Sequence, residues 1–141
     1  MTTQSDLLTQ IYQNTRMGVT GIENVQEYAG TGAFADALMK QKKEYESIAD
    51  QAVQMMHKSG QTPKDISMMS RLTSDLTASF QAARDPSVSH MAEMMIQGST
   101  MGITRLTKHL NDYGAHDPAK SLADKLLHTE QSNIDQMRKF L

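Results

Sequence analysis

Residues 94–106 read MMIQGSTMGITRL, and residues 11–22, which lie 84 positions before the last twelve of these, read IYQNTRMGVTGI. The residues paired at this offset are mostly identical or close in type: Gln13 with Gln97, Thr15 with Ser99, Met17 with Met101, Gly18 with Gly102, Val19 with Ile103, Thr20 with Thr104, Ile22 with Leu106 and Gly30 with Gly114. The pattern predicts one helical hairpin that occurs twice in the chain.

The composition fits a single helical domain. At 141 residues, folding buries roughly two-thirds of the surface of the unfolded chain, so one core is sufficient. Cys is absent, which excludes disulfides, thiolate metal sites and cysteine nucleophiles. Trp is absent too, aromatic residues are 5% and Met reaches 12. A core of Met, Leu, Ile and Ala favours helices, because aromatic and β-branched residues are the ones that favour strands.

The charge balance argues against a nucleic-acid partner. The 14 Lys and Arg residues are matched by 16 Asp and Glu residues, and no basic cluster is interleaved with aromatic residues. The first residues, Met1 to Asp6, have neither a basic run nor an apolar segment, so no signal peptide is predicted. The chain also has no run of about 18 apolar residues, so no membrane span is predicted. We expect a cytoplasmic protein.

Turn signals divide the chain into two hairpins and one connecting helix within a single domain, residues 1–141. The first hairpin is predicted at residues 4–59, the connecting helix at 63–84 and the second hairpin at 86–141. Each proline follows a capping residue and falls at the first position of a predicted helix, where its missing amide is harmless. These pairs are Thr62-Pro63, Asp85-Pro86 and Asp117-Pro118.

Capping residues and glycines set the other predicted helix ends. The first helix is predicted over residues 4–29, with Ser5 or Asp6 near its cap and Gly30 as its left-handed terminating residue. The second helix is predicted to reach Ser59. Gly60 is predicted to end this helix, and Gly114 is predicted to end the first helix of the second hairpin.

Helical periodicity assigns an inward-facing set to each helix of the hairpins. The first hairpin is predicted to bury Leu7, Leu8, Ile11, Asn14, Thr15, Gly18, Ile22, Val25 and Ala29, then Phe34, Ala37, Leu38, Gln41, Tyr45, Ile48, Ala52 and Met55. The second is predicted to bury Val88, Met91, Met95, Gly98, Ser99, Gly102, Leu106, His109 and Tyr113, then Ala119, Ala123, Leu126, Leu127, Glu130, Ile134, Met137 and Leu141.

The second helices of the two hairpins also align, at an offset of 86, which pairs Glu44 with Glu130 and Ser47 with Asn133. Two helical hairpins joined by a long connection resemble the ferritin-like four-helix-bundle superfamily. The chain is similar to spore-coat-like and uncharacterised bacterial bundles of that kind, whose metal sites are eroded. The resemblance implies an all-α, ferritin-like bundle of two repeated hairpins with an extra connecting helix.

The resemblance also implies where a di-metal site would lie. Iron-carboxylate members carry Glu-x-x-His on the second helix of each pair, and here Ser47 and Asn133 replace both histidines while Glu44 and Glu130 remain. The facing positions on the first helices offer no further Glu, since they are Asn14, Thr15, Gly98 and Ser99. Two carboxylates form a poor di-iron site, which needs about four carboxylates and two histidines. We therefore predict no metal and no cofactor.

Small residues at one depth of the predicted bundle indicate either closely packed helix backbones or a polar pocket. A helix-interior glycine costs about 1 kcal/mol relative to alanine, so its presence needs a reason. A pocket between the first helices of the two hairpins would be lined by Asn14, Thr15, Gly18, Glu44, Gly98, Ser99, Gly102, Glu130 and Asn133. In the alternative, Glu130 is a hydrogen-bonded core residue without a ligand.

Two other patterns have simpler explanations. Met-rich segments such as Met55-Met56-His57 could bind Cu(I), but most methionines fall at apolar helical positions and are interpreted as core. Met39 and Met94 lie off the apolar stripes and predict an exposed patch for self-association. The second pattern is formed by His109, Asp112 and His116 around a predicted helix end, where a histidine more often interacts with the helix dipole than binds a metal.

No catalytic motif is evident, and we expect a non-enzymatic bundle with a structural or protein-interaction role and a homo-oligomeric or protein partner. One alternative is a carboxylate metal-binding or redox protein that uses Glu44 and Glu130 with Fe or Mn. Another is a small-ligand pocket between the first helices of the two hairpins.

Overall fold

The computed structural model describes residues 1–63 and 87–141, which form four α-helices and, within those ranges, no strand. The helices are α1 (Gln4–Gln26), α2 (Ala33–Lys58), α3 (Val88–Asn111) and α4 (Pro118–Arg138). The predicted all-α class is confirmed. The predicted connecting helix lies, apart from Pro63, outside the described residues.

The four helices pack as two pairs. Helix α1 packs against α2, and α3 packs against α4, as short links between consecutive helices predict. The pairs join through contacts of α1 with α3 and of α2 with α4, while α1 and α4 also touch across the middle of the bundle. None of the described helices is long and apolar enough to cross a membrane.

Helix α1 begins where the sequence predicts, but its cap is Thr3 rather than Ser5. The Thr3 side chain accepts a hydrogen bond from the Asp6 amide, and the Asp6 carboxylate accepts one from the Thr3 amide. This reciprocal capping box satisfies two amides that the first helical turn leaves unpaired. The helix ends at Gln26, three residues earlier than predicted, and Gly30 follows with φ +65°.

The other helix ends combine confirmed and wrong predictions. Gly60 follows α2 with φ +73°, as predicted, and Asp117 caps α4 with Pro118 in its first turn. Helix α3 begins at Val88 and is capped by Ser87, whose hydroxyl accepts from the His90 amide, so the predicted start at Pro86 was wrong. Gly114 was assigned a terminating role, yet it is not among the described glycines with positive φ.

The core is built from the predicted apolar stripes with local shifts. Apolar residues that the stripes missed but the bundle buries are Val19, Ala49, Met56, Ala92 and Leu122. Two predicted core residues near helix ends, Val88 and Leu141, are 38% and 62% exposed. Met55 is half-buried while Met56 is fully buried. Val88 is the first residue of α3 and Leu141 lies after the end of α4, so helical periodicity overestimates the burial of both residues.

Candidate functional site

All four described helices contribute to one cavity of about 60 Å³. Helices α1 and α3 form its walls, and one residue each from α2 and α4 completes it. The lining residues are Asn14, Met17, Gly18, Gly21, Asn24 and Val25 of α1, Tyr45 of α2, Met94, Met95, Gly98, Ser99 and Gly102 of α3, and Glu130 of α4. The cavity is therefore apolar over most of its wall, with a few polar groups at its inner end.

The carboxyl group of Glu130 is the most unusual feature of this cavity. Glu130 is only 3% exposed, and its Oε2 atom has no hydrogen-bond partner within the described part of the chain. Burial raises the pKa of Glu130 to about 8, because removal from water disfavours the charged form. The group is therefore mostly a neutral acid at pH 7. A native protein seldom leaves a buried polar atom unpaired, so this atom needs an explanation.

Gly102 explains how the carboxyl group fits against α3. A Cβ atom at Gly102 would lie 2.5 Å from Glu130 Oε1 and 3.0 Å from Oε2, closer than real side chains approach. Glycine at this position therefore provides the space that the carboxyl group occupies. The close neighbour is a side chain and not a helix backbone, so the interpretation as close backbone packing was wrong for this glycine.

Gly18 has the same relation to Tyr45. A Cβ atom at Gly18 would lie 2.9 Å from two atoms of the Tyr45 ring, which is itself 2% exposed. The Tyr45 hydroxyl lies 3.4 Å from Ser99 Oγ, at the long end of hydrogen bonding, and either atom can be the donor. Burial, and then the negative charge of Glu130 when it is ionised, raise the pKa of Tyr45 to about 12.

Asn14 spans the inner end of the cavity between α1 and α3. Its Nδ2 donates to the carbonyl oxygen of Gly102 at 3.0 Å, and its Oδ1 accepts from Gln10 Nε2 at 2.9 Å. The amide is thus held in place by one bond at each end. Thr15, which was also predicted to line the pocket, is buried, but its hydroxyl turns back to the carbonyl oxygens of Ile11 and Tyr12 at 2.9 Å.

Glu44 and Asn133 do not line this cavity. Both belong to a separate surface cleft that they share with Lys40 and Gln136. Glu44 is half-buried, whereas Asn133 is 3% exposed and its Nδ2 has no hydrogen-bond partner in the described ranges. The structure therefore brings six of the nine predicted pocket residues to one cavity: Asn14, Gly18, Gly98, Ser99, Gly102 and Glu130.

The burial pattern explains why Glu44 and Glu130 are separated. Every buried residue of α4 lies 85 positions after a buried residue of α2, so the structural counterpart of Glu130 is Tyr45. The sequence alignment at 86 positions pairs Glu44 with Glu130 instead. A shift of one residue turns a helix position by about 100°, which places Glu44 at the edge of the buried face.

Tyr45 is the main residue of the site that was not predicted to line a pocket, although it was predicted to be buried. Met17, Met94 and Met95 were missed as well, and they are half-buried residues of the cavity wall. Met94 was predicted to lie in an exposed patch and was wrongly placed. Met39, predicted for the same patch, is 41% exposed.

The group His109, Asp112 and His116, considered above as metal ligands, does not form a metal site in the described structure. Within residues 1–63 and 87–141, no group of three or more His, Asp or Glu side chains could hold a metal ion. Asp112 instead lies 3.5 Å from the amino terminus, and His109 Nδ1 lies 3.0 Å from the Arg105 carbonyl oxygen.

Comparison of the chain with models of protein families, with curated proteins and with solved structures found no match. The geometry of the cavity is therefore the basis for a functional assignment.

Proposed function

We propose that this protein is a non-enzymatic helical bundle that binds a small molecule in the cavity between α1 and α3. The observation that carries the proposal is the Glu130 carboxyl group, which is buried in the cavity wall and whose Oε2 atom has no partner among residues 1–63 and 87–141. Burying a polar group without a partner is unfavourable by about 1–3 kcal/mol. A bound ligand that pairs with the carboxyl group removes this penalty, so binding and folding favour the same state.

The size and lining of the cavity suit a small ligand. A water molecule needs roughly 10–15 Å³ of cavity volume. The volume of about 60 Å³ therefore accommodates on the order of four non-hydrogen atoms. Gly98 keeps part of this space free, because a Cβ atom there would meet no atom of the described residues within 4 Å. The half-buried Met17, Met94 and Met95 have flexible side chains that can adjust to the shape of a ligand.

The cavity has features of binding rather than catalysis. Glu130 is its one carboxylic acid, and no histidine, lysine or arginine lines it within the described chain. A Ser or Tyr nucleophile needs an adjacent base, whereas the Ser99 hydroxyl lies 3.4 Å from the Tyr45 hydroxyl, which is not a base at neutral pH. These residues are therefore assigned to ligand contact and not to a reaction.

The ferritin-like arrangement of two repeated hairpins is part of the same proposal. It is supported by the matching buried positions of α2 and α4 at an offset of 85, and by the two glycines that accommodate side chains from the second helix of each pair. The proposed self-association is supported by exposed apolar side chains, of which Tyr28 and Met39 are 47% and 41% exposed.

A cavity-filling variant tests the proposed function. Gly98→Leu places a side chain into space that is open in the structure, and it replaces glycine by a better helix former. We expect a ligand-observed NMR screen of small fragments to find binders of the native protein that Gly98→Leu no longer binds. Gln97→Leu is the matched control, because it adds the same side chain at the neighbouring, exposed position of α3.

The folds of both variants should be compared by circular dichroism and thermal unfolding. Binding that is lost in Gly98→Leu and kept in Gln97→Leu, with helicity unchanged in both, supports the cavity as the site. Fragments that bind all three proteins equally, or none at all, would contradict the proposed function.

A further inference from the structure

We propose that the ligand is a small organic ammonium ion, with its charged nitrogen against the Glu130 carboxylate and its alkyl part against the methionines of the cavity. The inference rests on the proposed function and adds to it the charge of the ligand. It follows from the charges of the lining residues, the hydrogen-bonding capacity of the inner end and the apolar outer wall.

The charges around the cavity favour a cation. Glu130 is the single carboxylic acid in the lining, and the described lining includes no Lys, Arg or His that would bind an anion. A carboxylate or phosphate ligand would find no positive partner in this lining, and it would oppose ionisation of Glu130, because two negative groups repel strongly in a site of low polarity. An ammonium ion instead supplies the positive partner that a buried carboxylate otherwise lacks.

The hydrogen-bonding groups at the inner end favour a ligand that donates. As a carboxylate, Glu130 can only accept hydrogen bonds. Ser99 and Tyr45 share one hydrogen bond and keep lone pairs that can accept others. The Asn14 amide is already bonded to the Gly102 carbonyl oxygen. Acceptors therefore predominate, and a primary ammonium group has three N–H donors and no acceptor.

The outer wall suits an alkyl group. Met17, Met94 and Met95 line it, and thioether side chains pack readily against aliphatic chains. When the pocket is empty the Glu130 carboxyl group holds a proton, and the arriving ammonium ion replaces that proton, which passes to the buffer. A neutral alcohol of the same size can use the same apolar wall but gains only one ordinary hydrogen bond.

The test compares three probes of similar size: propylammonium, 1-propanol and propionate. Each is titrated into the full chain, labelled with nitrogen-15, and its dissociation constant is read from backbone amide shifts of α1 and α3. Phosphate buffer at constant ionic strength is required, because Tris is itself a primary amine. The same titrations are made with Glu130→Gln, which keeps the side-chain shape without the charge, and with Gly98→Leu, which keeps the carboxyl group but fills the cavity.

We expect propylammonium to bind at least about tenfold more tightly than 1-propanol, and propionate not to bind. Glu130→Gln should reduce propylammonium binding to the level of 1-propanol while 1-propanol binding is retained, and Gly98→Leu should abolish both. Equal binding of amine and alcohol, or amine binding that survives Glu130→Gln, overturns the inference but leaves the proposed function intact. If no probe binds, the ammonium assignment is wrong, and the fragment screen with Gly98→Leu decides separately on the pocket.

Discussion

Two glycines at equivalent positions of α1 and α3 each lie against a buried side chain from the second helix of their pair. Gly18 lies against the ring of Tyr45, and Gly102 lies against the carboxyl group of Glu130. The contacts are alike in geometry and in burial, since Tyr45 is 2% and Glu130 is 3% exposed. They differ in chemistry, because burying an aromatic ring is favourable whereas burying a carboxyl group without a partner is not.

The difference separates a structural position from a functional one. Tyr45 fills its space with apolar surface, and its hydroxyl has Ser99 within reach. Glu130 fills a similar space at an energetic disadvantage, and its Oε2 atom stays unpaired in the described structure. We expect removal of the ring to weaken the fold, and removal of the carboxyl group to weaken binding with little loss of stability.

The largest expected difference comes from truncating the two side chains. Tyr45→Ala removes a fully buried ring and should lower the free energy of unfolding by about 3–5 kcal/mol. Glu130→Ala removes an unpaired acid and should change it by less than about 1 kcal/mol at pH 7. Urea denaturation followed by circular dichroism measures both values. A loss of stability in Glu130→Ala as large as that in Tyr45→Ala would mean that the carboxyl group holds the fold together.

The next-largest expected effect is a change in the free energy of unfolding with pH. The pKa of Glu130 is raised from 4.5 to about 8 in the folded protein, so between these values the folded chain keeps a proton that the unfolded chain releases. The contribution of protonated Glu130 to the free energy of unfolding is greatest below pH 4.5, and it is lost as the pH rises through about 8. The free energy of unfolding should fall by on the order of 2–4 kcal/mol over this range.

Glu130→Gln is the control for the pH series, because it removes this titration and leaves the others. The difference between native protein and variant isolates the contribution of Glu130 at each pH. Parallel stability curves for the two proteins between pH 5 and 8 would show that the carboxyl group is not held neutral by the fold.

The smallest expected difference concerns the two glycines themselves. Gly18→Ala forces a methyl group against the held ring of Tyr45, and overpacking costs about 1–3 kcal/mol, partly offset by about 1 kcal/mol of helix propensity. In Gly102→Ala the obstacle is the end of a flexible side chain, which can turn aside. We expect Gly18→Ala to be less stable than Gly102→Ala by about 1–2 kcal/mol.

Gly98→Ala is the reference for these two variants, because a Cβ atom at Gly98 meets no atom of the described part of the chain within 4 Å. It should stabilise the protein by about 1 kcal/mol through helix propensity alone. Thermal unfolding of the three variants gives the order. If Gly18→Ala proves as stable as Gly98→Ala, the Tyr45 ring yields easily and the two glycine contacts are equivalent.

Local sequence signals predicted the helices well and their ends less well. Pro118 after Asp117 marks a helix start, and Gly30 and Gly60 follow helix ends. Each acts on the backbone within a few residues, so the sequence predicts its effect directly. The cap of α1 was assigned two residues late, because several residues that can cap a helix occur together at residues 2–6. At the ends of the bundle, burial depends on neighbouring helices, which is why Leu141 was wrongly placed in the core.

The site was predicted in part. The small residues of α1 and α3 and the buried Glu130 follow from helical periodicity, because each faces the core of its own helix. Glu44 and Asn133 were added through the alignment of the second helices, whose register in space differs by one residue. Thr15 faces inward as predicted, yet its hydroxyl bonds to its own helix, and periodicity does not predict the direction of a hydroxyl group.

By itself, the sequence determined the all-α class, the succession of the described helices and the set of residues on most buried faces, because capping and periodicity are local properties of the chain. Tertiary structure alone decided that Tyr45 and Glu130 occupy equivalent places and that a cavity remains between α1 and α3. It also decided that no described residue pairs with the Oε2 atom of Glu130. These depend on the distances and rotations between helices, which are fixed by how their side chains fit together across the bundle.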